Sequence, residues 1–393
     1  MGGENVKRRL YIILLIILLI FVCIGSVSAS DFSSTNSSNL LAYNSTDNTN
    51  ILSEDNEYGT FTDLNTFINS SSEGSTINLD KNYKYSPSTD GNYINGTHIY
   101  TSITINGNNH VIDGSNIARA FNISSGNVTF INCVFTNCKG IYGGAIYSDD
   151  SIASVDNCVF TNNNASVCGG AVYSNSIGSI TNSKFVNNIA NNYGGSVYVD
   201  NGNISYLTND SFVNCSASLG GAIYNNNGNV GPVTNCTFDS LKSYGPAAAI
   251  YCNGNISSLI NSSISNSSSN SYGMISYSGN FGDIAGCNFT NIRSGSAGGV
   301  LYNSRPGIIG SIKDSNFKNI SSLMGGAVYG SYTNISSIDN CTFVDINCTA
   351  PGSAIYNYNS NIGSITNTVF NNCKTSFLFF SINSLLPTSI FPI

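Results

Sequence analysis

Gly143-Gly144-Ala145-Ile146-Tyr147 decides the fold of this chain, because the stretch returns along the sequence at a nearly constant interval. Close copies stand at residues 169–173, 194–198, 220–224 and 325–329, and looser copies end at Tyr251, Tyr277, Tyr302 and Tyr356. Successive tyrosines are 25 to 27 residues apart. Self-similarity at a fixed period of about 20–50 residues is typical of solenoids, in which each repeat packs on its neighbours.

A second set of residues keeps the same step. It consists of Phe135, Phe160, Phe185, Phe212, Phe238, Ile264, Phe289, Phe317, Phe343 and Phe370. An aliphatic or aromatic residue lies five positions before each member, Cys or Ser usually lies two before it, and Asn recurs three before and two after it. β-branched and aromatic positions punctuated by Gly and Asn indicate short strands and argue against helices.

The spacing within the unit predicts where each coil turns. The Phe, the small residue two before it and the Asn two after it are expected on one face of a strand. The aliphatic residue, five positions away, faces the same interior only if the chain turns in between. Asn132, Asn157 and their equivalents stand at that point, and Asn tolerates the left-handed conformation of a tight corner. Coils stacked ~4.8 Å apart then form asparagine ladders around one continuous core.

The predicted fold class is therefore all-β, a right-handed parallel β-helix (β-solenoid) with coils of about 26 residues. A leucine-rich repeat would need Leu where this chain has Asn and Ser, and a WD propeller would need the Trp that the sequence lacks. The predicted divisions are a signal peptide at 1–29, a flexible Ser/Asn-rich linker at 30–57, an N-terminal cap and first coil at 58–100, β-helix repeats at 101–376 and an apolar tail at 377–393. Residues 61–67 are expected to form a short capping helix.

The first residues have the pattern of an export signal. Lys7-Arg8-Arg9 precedes the apolar run from Leu10 to Ile24, and Val27-Ser28-Ala29 offers a cleavage site after Ala29. The alternative is an uncleaved N-terminal membrane anchor. Both interpretations place residues 31 onward outside the cytoplasm, so we expect a secreted, extracellular or cell-surface protein. The C-terminal tail is either an apolar plug over the last coil or the end of a truncated reading frame.

Composition narrows the possible partners. The formal net charge is −7 with only 14 Lys and Arg residues, so nucleic acid is not an expected partner. Nineteen N-x-S/T triplets lie between Asn36 and Asn347 and make the chain a candidate glycoprotein. Eleven cysteines follow the signal, and we interpret most of them as small buried thiols. Cys133 and Cys158 occupy the same position in adjacent coils, within reach of a disulfide.

Residues for catalysis are scarce. Many right-handed β-helices are polysaccharide lyases or hydrolases, which need acidic residues grouped on one face. The adjacent acids Asp149 and Asp150 are expected in a turn, and His110 has the same interpretation. We predict no catalytic, cofactor-binding or metal-binding residues and no cofactor, so the expected protein is not an enzyme.

The feature with binding potential is a ladder of tyrosines. If Ile146 points inward, alternation turns Tyr147 outward, and the stacked equivalents form an aromatic stripe. The candidate binding residues are Tyr147, Tyr173, Tyr198, Tyr224, Tyr251, Tyr277, Tyr302, Tyr329 and Tyr356. The alternative is that these rings support a corner of the coil and only their hydroxyls reach solvent.

The Gly-Gly-Ala-Ile-Tyr and Phe-x-Asn positions resemble the G-G-A-[ILV] and F-x-x-N repeats of chlamydial polymorphic membrane proteins. The stricter second motif is met at Phe160–Asn163 and Phe185–Asn188, whereas most coils place Asn one residue earlier. The segment from Ile103 to Asp113 is similar to adhesin-like surface proteins of methanogenic archaea. The resemblance covers residues 58–376 and implies a surface protein that attaches to a cell-surface glycan or protein. A passive envelope protein and a polysaccharide-active enzyme are the alternatives.

Overall fold

A computed structural model describes residues 58–375 as a right-handed parallel β-helix of about 12 coils. The predicted fold class is confirmed, because strands of successive coils pair in parallel and align equivalent residues of the repeat. The predicted signal peptide, linker and apolar tail lie outside the described residues. Within the described part, no helix is both long and apolar enough to cross a membrane.

Three sheets run along the solenoid, and the chain visits them in the order 1, 2, 3 in each coil. Sheet 1 contains Thr76–Asn78, Thr104–Asn106, Val128–Ile131, Ser151–Asp156, Ser176–Thr181, Ile204–Thr208, Val230–Thr234, Ile256–Ile260, Phe281–Ala285, Gly307–Lys313, Thr333–Asp339 and Ile365–Thr366. Sheet 3 contains Thr97–Ile99, Phe121–Ile123, Ile146–Ser148, Val172–Ser174, Val197–Val199, Ile223–Asn225, Ile250–Cys252, Ile275–Tyr277, Leu301–Asn303, Val328–Ser331 and Ile355–Tyr358.

Sheet 2 lies between them and bends, so that many coils contribute two short strands to it. It contains Tyr83–Lys84, Val111–Asp113, Val134–Thr136, Lys139–Tyr142, Val159–Thr161, Asn164–Cys168, Lys184–Val186, Ile189–Ala190, Ser211–Val213, Ser216–Ala217, Thr237–Asp239, Lys242–Ser243, Ser263–Ser265, Ser268–Ser269, Asn288–Ser294, Asn316–Ser322, Thr342–Cys348, Val369–Asn371 and Lys374–Thr375.

A helix closes the N-terminal end of the solenoid. Helix α1 spans Phe61–Asn69, where the sequence predicted a short cap, and a single turn of 3-10 helix follows at Gly91–Tyr93. Thr60 and Asp63 form a capping box at the start of α1. The helix buries Phe61, Leu64 and Ile68, so it shields the first coil from water.

The interior is one stack of repeated apolar residues. The phenylalanines of sheet 2 lie ring over ring, with Phe160 and Phe185 4.7 Å apart and Phe317 and Phe343 4.5 Å apart between centroids. The aliphatic residues of sheet 1, such as Ile152 and Val155, are also fully buried. Every coil therefore buries its apolar side chains against the same positions of the coils above and below, as solenoid stability requires.

The predicted asparagine corner is confirmed between sheets 1 and 2. The asparagines three positions before the Phe all have positive φ, from 48° to 60°; they are Asn132, Asn157, Asn182, Asn209, Asn235, Asn261, Asn340 and Asn367. Their side chains form ladders between coils: Asn157 donates to Asn132 at 2.7 Å and Asn235 to Asn209 at 3.1 Å. The ladder satisfies amide groups that would otherwise compete with the backbone.

The expected position of the second asparagine was wrong. Asn137, Asn162 and their equivalents, two positions after the Phe, do not share its inward face but form a second left-handed corner within sheet 2. Asn162 has φ 58°, and Asn187 donates to it at 3.1 Å. The left-handed residue ends the strand, so the alternation of faces cannot continue through it. The inward position belongs to the next residue, which is Cys138 or Asn163.

The cysteines are small interior residues, as expected. All eleven cysteines in the described part of the chain are free thiols, and Cys373 in the last coil is the one among them that is partly exposed. Cys133 and Cys158 are therefore not bridged. Burial raises the pKa of the Cys138 thiol to about 12, because an apolar interior disfavours the thiolate.

Candidate functional site

The tyrosine ladder lies at the corner where the chain enters sheet 3. Gly143 has φ 58°, which an L side chain rarely adopts, and a Cβ on Gly144 would stand 2.1 Å from the Gly170 carbonyl oxygen. The Gly-Gly pair is thus required by backbone geometry and by the approach of the next coil. In the strand that follows, Ile146 and Ser148 point inward and Tyr147 points outward, in the alternation expected for a strand.

The rings stack on one another along the corner. Tyr147, Tyr173, Tyr198, Tyr224 and Tyr251 form one run, and Tyr302, Tyr329 and Tyr356 form another, with neighbouring centroids 4.7 to 5.4 Å apart and ring planes within 23° of parallel. Parallel stacking at this distance covers the ring faces. What the ladder presents to solvent is a row of ring edges and hydroxyls rather than open aromatic faces.

Tyr277 does not belong to the ladder, contrary to the prediction. Ser276 takes that position, since it pairs with Tyr251 on one side and with Tyr302 on the other. Tyr277 points inward, is 3 % exposed and meets Phe281 edge-on at 5.2 Å between centroids. The coil is one residue shorter here than the tyrosine spacing indicates, so the tyrosine falls on the opposite face of the strand.

A second, sparser column of tyrosines was missed by the sequence analysis. Tyr142, Tyr193 and Tyr272 lie five residues before Tyr147, Tyr198 and Tyr277. Each packs on the ladder tyrosine of the following coil, at centroid distances of 5.5, 4.8 and 4.1 Å to Tyr173, Tyr224 and Tyr302. The sequence did contain a signal for this column, namely a tyrosine five residues before the last position of the Gly-Gly-Ala-Ile-Tyr repeat, but only three coils have one.

Burial is uneven along the ladder. Tyr198 and Tyr224 are each 7 % exposed, because Cys168, Tyr193 and Leu219 cover them. The remaining ladder tyrosines are half-buried. Burial therefore differs between coils: the central rings are covered by the corner, and the outer rings remain partly exposed.

Carboxylates accompany two hydroxyls in the first coils of the ladder. The Tyr147 hydroxyl donates to the Asp149 carboxylate, and the Tyr198 hydroxyl donates to Asp200 Oδ1 at 3.0 Å. Burial and then the neighbouring carboxylate raise the pKa of Tyr147 to about 12, so the phenol stays a hydrogen-bond donor at neutral pH. Asp149 and Asp150 lie in the turn after the strand, as expected.

A buried arginine fixes the N-terminal end of the ladder. The Arg119 guanidinium donates to three backbone carbonyl oxygens, those of Gly143 at 2.9 Å, Asn95 at 3.0 Å and Tyr142 at 2.8 Å. Its Cζ also lies 4.9 Å from the centroid of the Tyr147 ring. The planar guanidinium can donate several hydrogen bonds in one plane, and its positive charge is attracted to the face of the aromatic ring.

Among the ionisable residues of 58–375, no group of three or more His, Cys, Asp and Glu side chains could hold a metal ion. His98 stacks on Tyr100 at 5.7 Å between centroids, and His110 adjoins the turn before Val111–Asp113. Within residues 58–375, neither histidine forms an ion pair with a carboxylate.

Comparison with known proteins finds no similar family model, no similar curated protein and no similar solved structure.

Proposed function

We propose that this chain is a non-enzymatic, exported protein of the cell surface that presents a rigid β-helix for attachment to a cell-surface protein or glycan. The resemblance of its repeats to chlamydial polymorphic membrane proteins and to adhesin-like proteins of methanogenic archaea supports this proposal. The export pattern in residues 1–29 is consistent with it.

One observation carries the proposal: stacking does not require a tyrosine at the outward position of sheet 3. His98, Asn122 and Ser276 occupy it in other coils, and their strands pair in the same register. A residue that the fold does not demand, yet which recurs in eight coils, is better explained by contact with something outside the chain. Tyrosine combines apolar contact area with a hydroxyl and is enriched at recognition surfaces.

The geometry favours one kind of contact over another. Because stacked rings cover their own faces, a sugar ring cannot lie flat on the inner tyrosines as it does on an open aromatic platform. The ladder instead offers hydroxyl donors, ring edges and the adjacent Asp149 and Asp200 carboxylates. We therefore favour a protein or an extended polymer that lies along the corner and bonds to these groups.

The test compares matched tyrosine variants for adhesion. Tyr173, Tyr251 and Tyr329 are replaced together by Ser, the residue that position 276 already accommodates. The control replaces Tyr206 and Tyr244, which are exposed and are not members of the ladder. Binding of the purified proteins to cells, to immobilised surface proteins and to a glycan panel is expected to fall about tenfold or more in the ladder variant alone. Equal binding of ladder variant and wild type, with unchanged circular dichroism, would reject attachment through this surface.

A passive structural role in the envelope is the second candidate, and a specific observation favours it. Tyr198 and Tyr224 are buried at the centre of the ladder, which is the arrangement expected if the rings serve the coil alone. This alternative predicts that the wild type binds none of the surfaces tested, and that tyrosine replacement lowers thermal stability instead.

A further inference from the structure

Seventeen of the nineteen N-x-S/T triplets lie in the described part of the chain, and the structure divides them by what their asparagine amides do. In one group the side-chain Nδ2 already donates to the preceding coil in a ladder. This group comprises Asn209, Asn214, Asn235, Asn255, Asn266, Asn319 and Asn340. A glycan on such a nitrogen would replace a ladder proton and push against the neighbouring coil.

Two triplets have the opposite geometry. In Asn164-Ala165-Ser166 and Asn347-Cys348-Thr349, the asparagine and the hydroxyl residue are both exposed, and the residue between them is buried. A spacing of two along a strand places both outward side chains on one face. Neither Asn164 nor Asn347 makes a side-chain hydrogen bond, and neither do Ser166 and Thr349.

Among residues 58–375, these are the two triplets that combine an exposed, unbonded amide with an exposed hydroxyl. Asn203 and Asn334 also point outward, but their Oδ1 atoms accept bonds from the next coil, at 2.7 Å from Asn229 N and 2.8 Å from Asn361 N. The orientation of those two amides is therefore set by stacking.

We propose that Asn164 and Asn347 are the attachment sites for N-linked glycan on the folded chain, and that the ladder asparagines are not. In the reaction, Nδ2 attacks the anomeric carbon of an oligosaccharide carried on a lipid phosphate or diphosphate. The new bond joins Nδ2 to that carbon, the carbon–oxygen bond to phosphate breaks and leaves its electron pair on the phosphate oxygen, and one Nδ2 proton is lost to solvent. In the organism that makes this protein, the modification requires that the chain be exported, so this inference rests on the proposed function.

The two sites share one line on the outer face of sheet 2. Strand pairing connects Asn164 to Asn347 through Ile189, Ser216, Lys242, Ser268, Arg293 and Ser321. Seven steps of ~4.8 Å place them ~34 Å apart along the axis. Glycans there are attached to sheet 2, whereas the tyrosine ladder lies on the strands of sheet 3.

The test produces the full chain in eukaryotic secretory cells behind the host's own signal peptide, so that exposure to the glycosylation machinery does not depend on residues 1–29. Glycopeptide mass spectrometry of the secreted, soluble protein measures occupancy at each triplet. Occupancy at Asn164 and Asn347 is expected to exceed that at Asn214, Asn235 and Asn340 by about tenfold, the effect of losing roughly one ladder hydrogen bond.

Ser166→Ala and Thr349→Ala each remove one acceptor triplet without touching the asparagine, and each is expected to abolish one glycan. Ser216→Ala, which removes the triplet at Asn214, is the matched control and is expected to leave the glycan mass unchanged. Comparable occupancy at ladder asparagines, or empty Asn164 and Asn347 in the secreted protein, would overturn the proposal. Adhesion is scored separately, so a failure of the proposed attachment function has a different readout.

Discussion

Replacing Asp210 by Ser is expected to stabilise the solenoid above neutral pH and to have little effect in acid. Asp210 is 1 % exposed and lies two positions before Phe212, in the interior column that Ser183 and Cys236 continue. Its Oδ1 accepts from the Ser183 N–H at 2.9 Å and its Oδ2 from the Thr208 N–H at 3.0 Å. Burial nevertheless dominates and raises the pKa of this carboxyl from 3.8 to about 7.

The sign and size of the effect follow from that pKa. Because the folded chain holds the proton more tightly than the unfolded chain, ionisation of Asp210 costs stability. The cost is absent below the unfolded pKa of 3.8, grows as the pH rises and is complete above about 7. At 1.36 kcal/mol per pH unit, the difference between the two pKa values corresponds to about 4 kcal/mol.

Serine fits this position because other coils already use it. Ser262 Oγ accepts from the Cys236 N–H at 3.0 Å and donates to the Ile260 carbonyl at 2.8 Å. A serine at 210 is expected to keep the bond from the Ser183 N–H and to donate to the Thr208 carbonyl, so the variant removes the charge at the cost of the single bond from the Thr208 N–H.

The assay is urea unfolding of wild type and Asp210→Ser at pH values from 4 to 8, followed by circular dichroism. The gain in free energy of unfolding is expected to grow with pH, to about 4 kcal/mol at pH 8. Asp283→Ser is the control of opposite sign: hydrogen bonds from Ser311 lower the pKa of Asp283, so its removal destabilises at neutral pH and matters less in acid. A difference between Asp210→Ser and wild type that stays flat from pH 4 to 8 would refute the reasoning.

Two further predictions concern packing. Gly170→Ala is expected to lower the free energy of unfolding by about 3 kcal/mol or more, because the new Cβ would stand 2.0 Å from the Gly195 carbonyl oxygen. Thermal unfolding measures the effect. Gly91→Ala is the control: no atom lies within 4 Å of its new Cβ, so its stability should be nearly unchanged. In the native protein, a thiol-reactive probe is expected to label Cys373 first and the ten buried cysteines only on unfolding. Rapid labelling of buried thiols, or a Cys133–Cys158 disulfide found by mass spectrometry, would contradict this.

The periodic part of the structure could be predicted from sequence because each structural position of the coil requires the same residue type in nearly every repeat. The stacked Phe, the inward aliphatic residue and the left-handed Asn each recur at a constant position of the repeat, so the repeats can be aligned on them. The second corner was misjudged because period-two reasoning carried the strand through Asn137 and Asn162. Two left-handed asparagines per coil were visible in the sequence, but only the backbone angles show that both end a strand.

The ladder was harder to predict because its surroundings are not periodic. Tyr277 was misplaced since coil lengths vary by one or two residues, and a one-residue change moves a side chain to the other face of the strand. The burial of Tyr198 and Tyr224 depends on Cys168, Tyr193 and Leu219, which differ from coil to coil. Face-to-face stacking of the rings depends on side-chain conformation, which the spacing of residues in the sequence does not determine.

The parallel pairing of like residues has a consequence for how far the molecule extends. Each coil meets only its two neighbours and offers each of them nearly the same surface, so a whole coil can be gained or lost without changing the joints that remain. Twelve coils at ~4.8 Å give a rod of ~58 Å, and each duplication or deletion of about 26 residues changes that length by one rung. The length of the solenoid is thus a quantity that simple gene duplication can adjust in fixed increments.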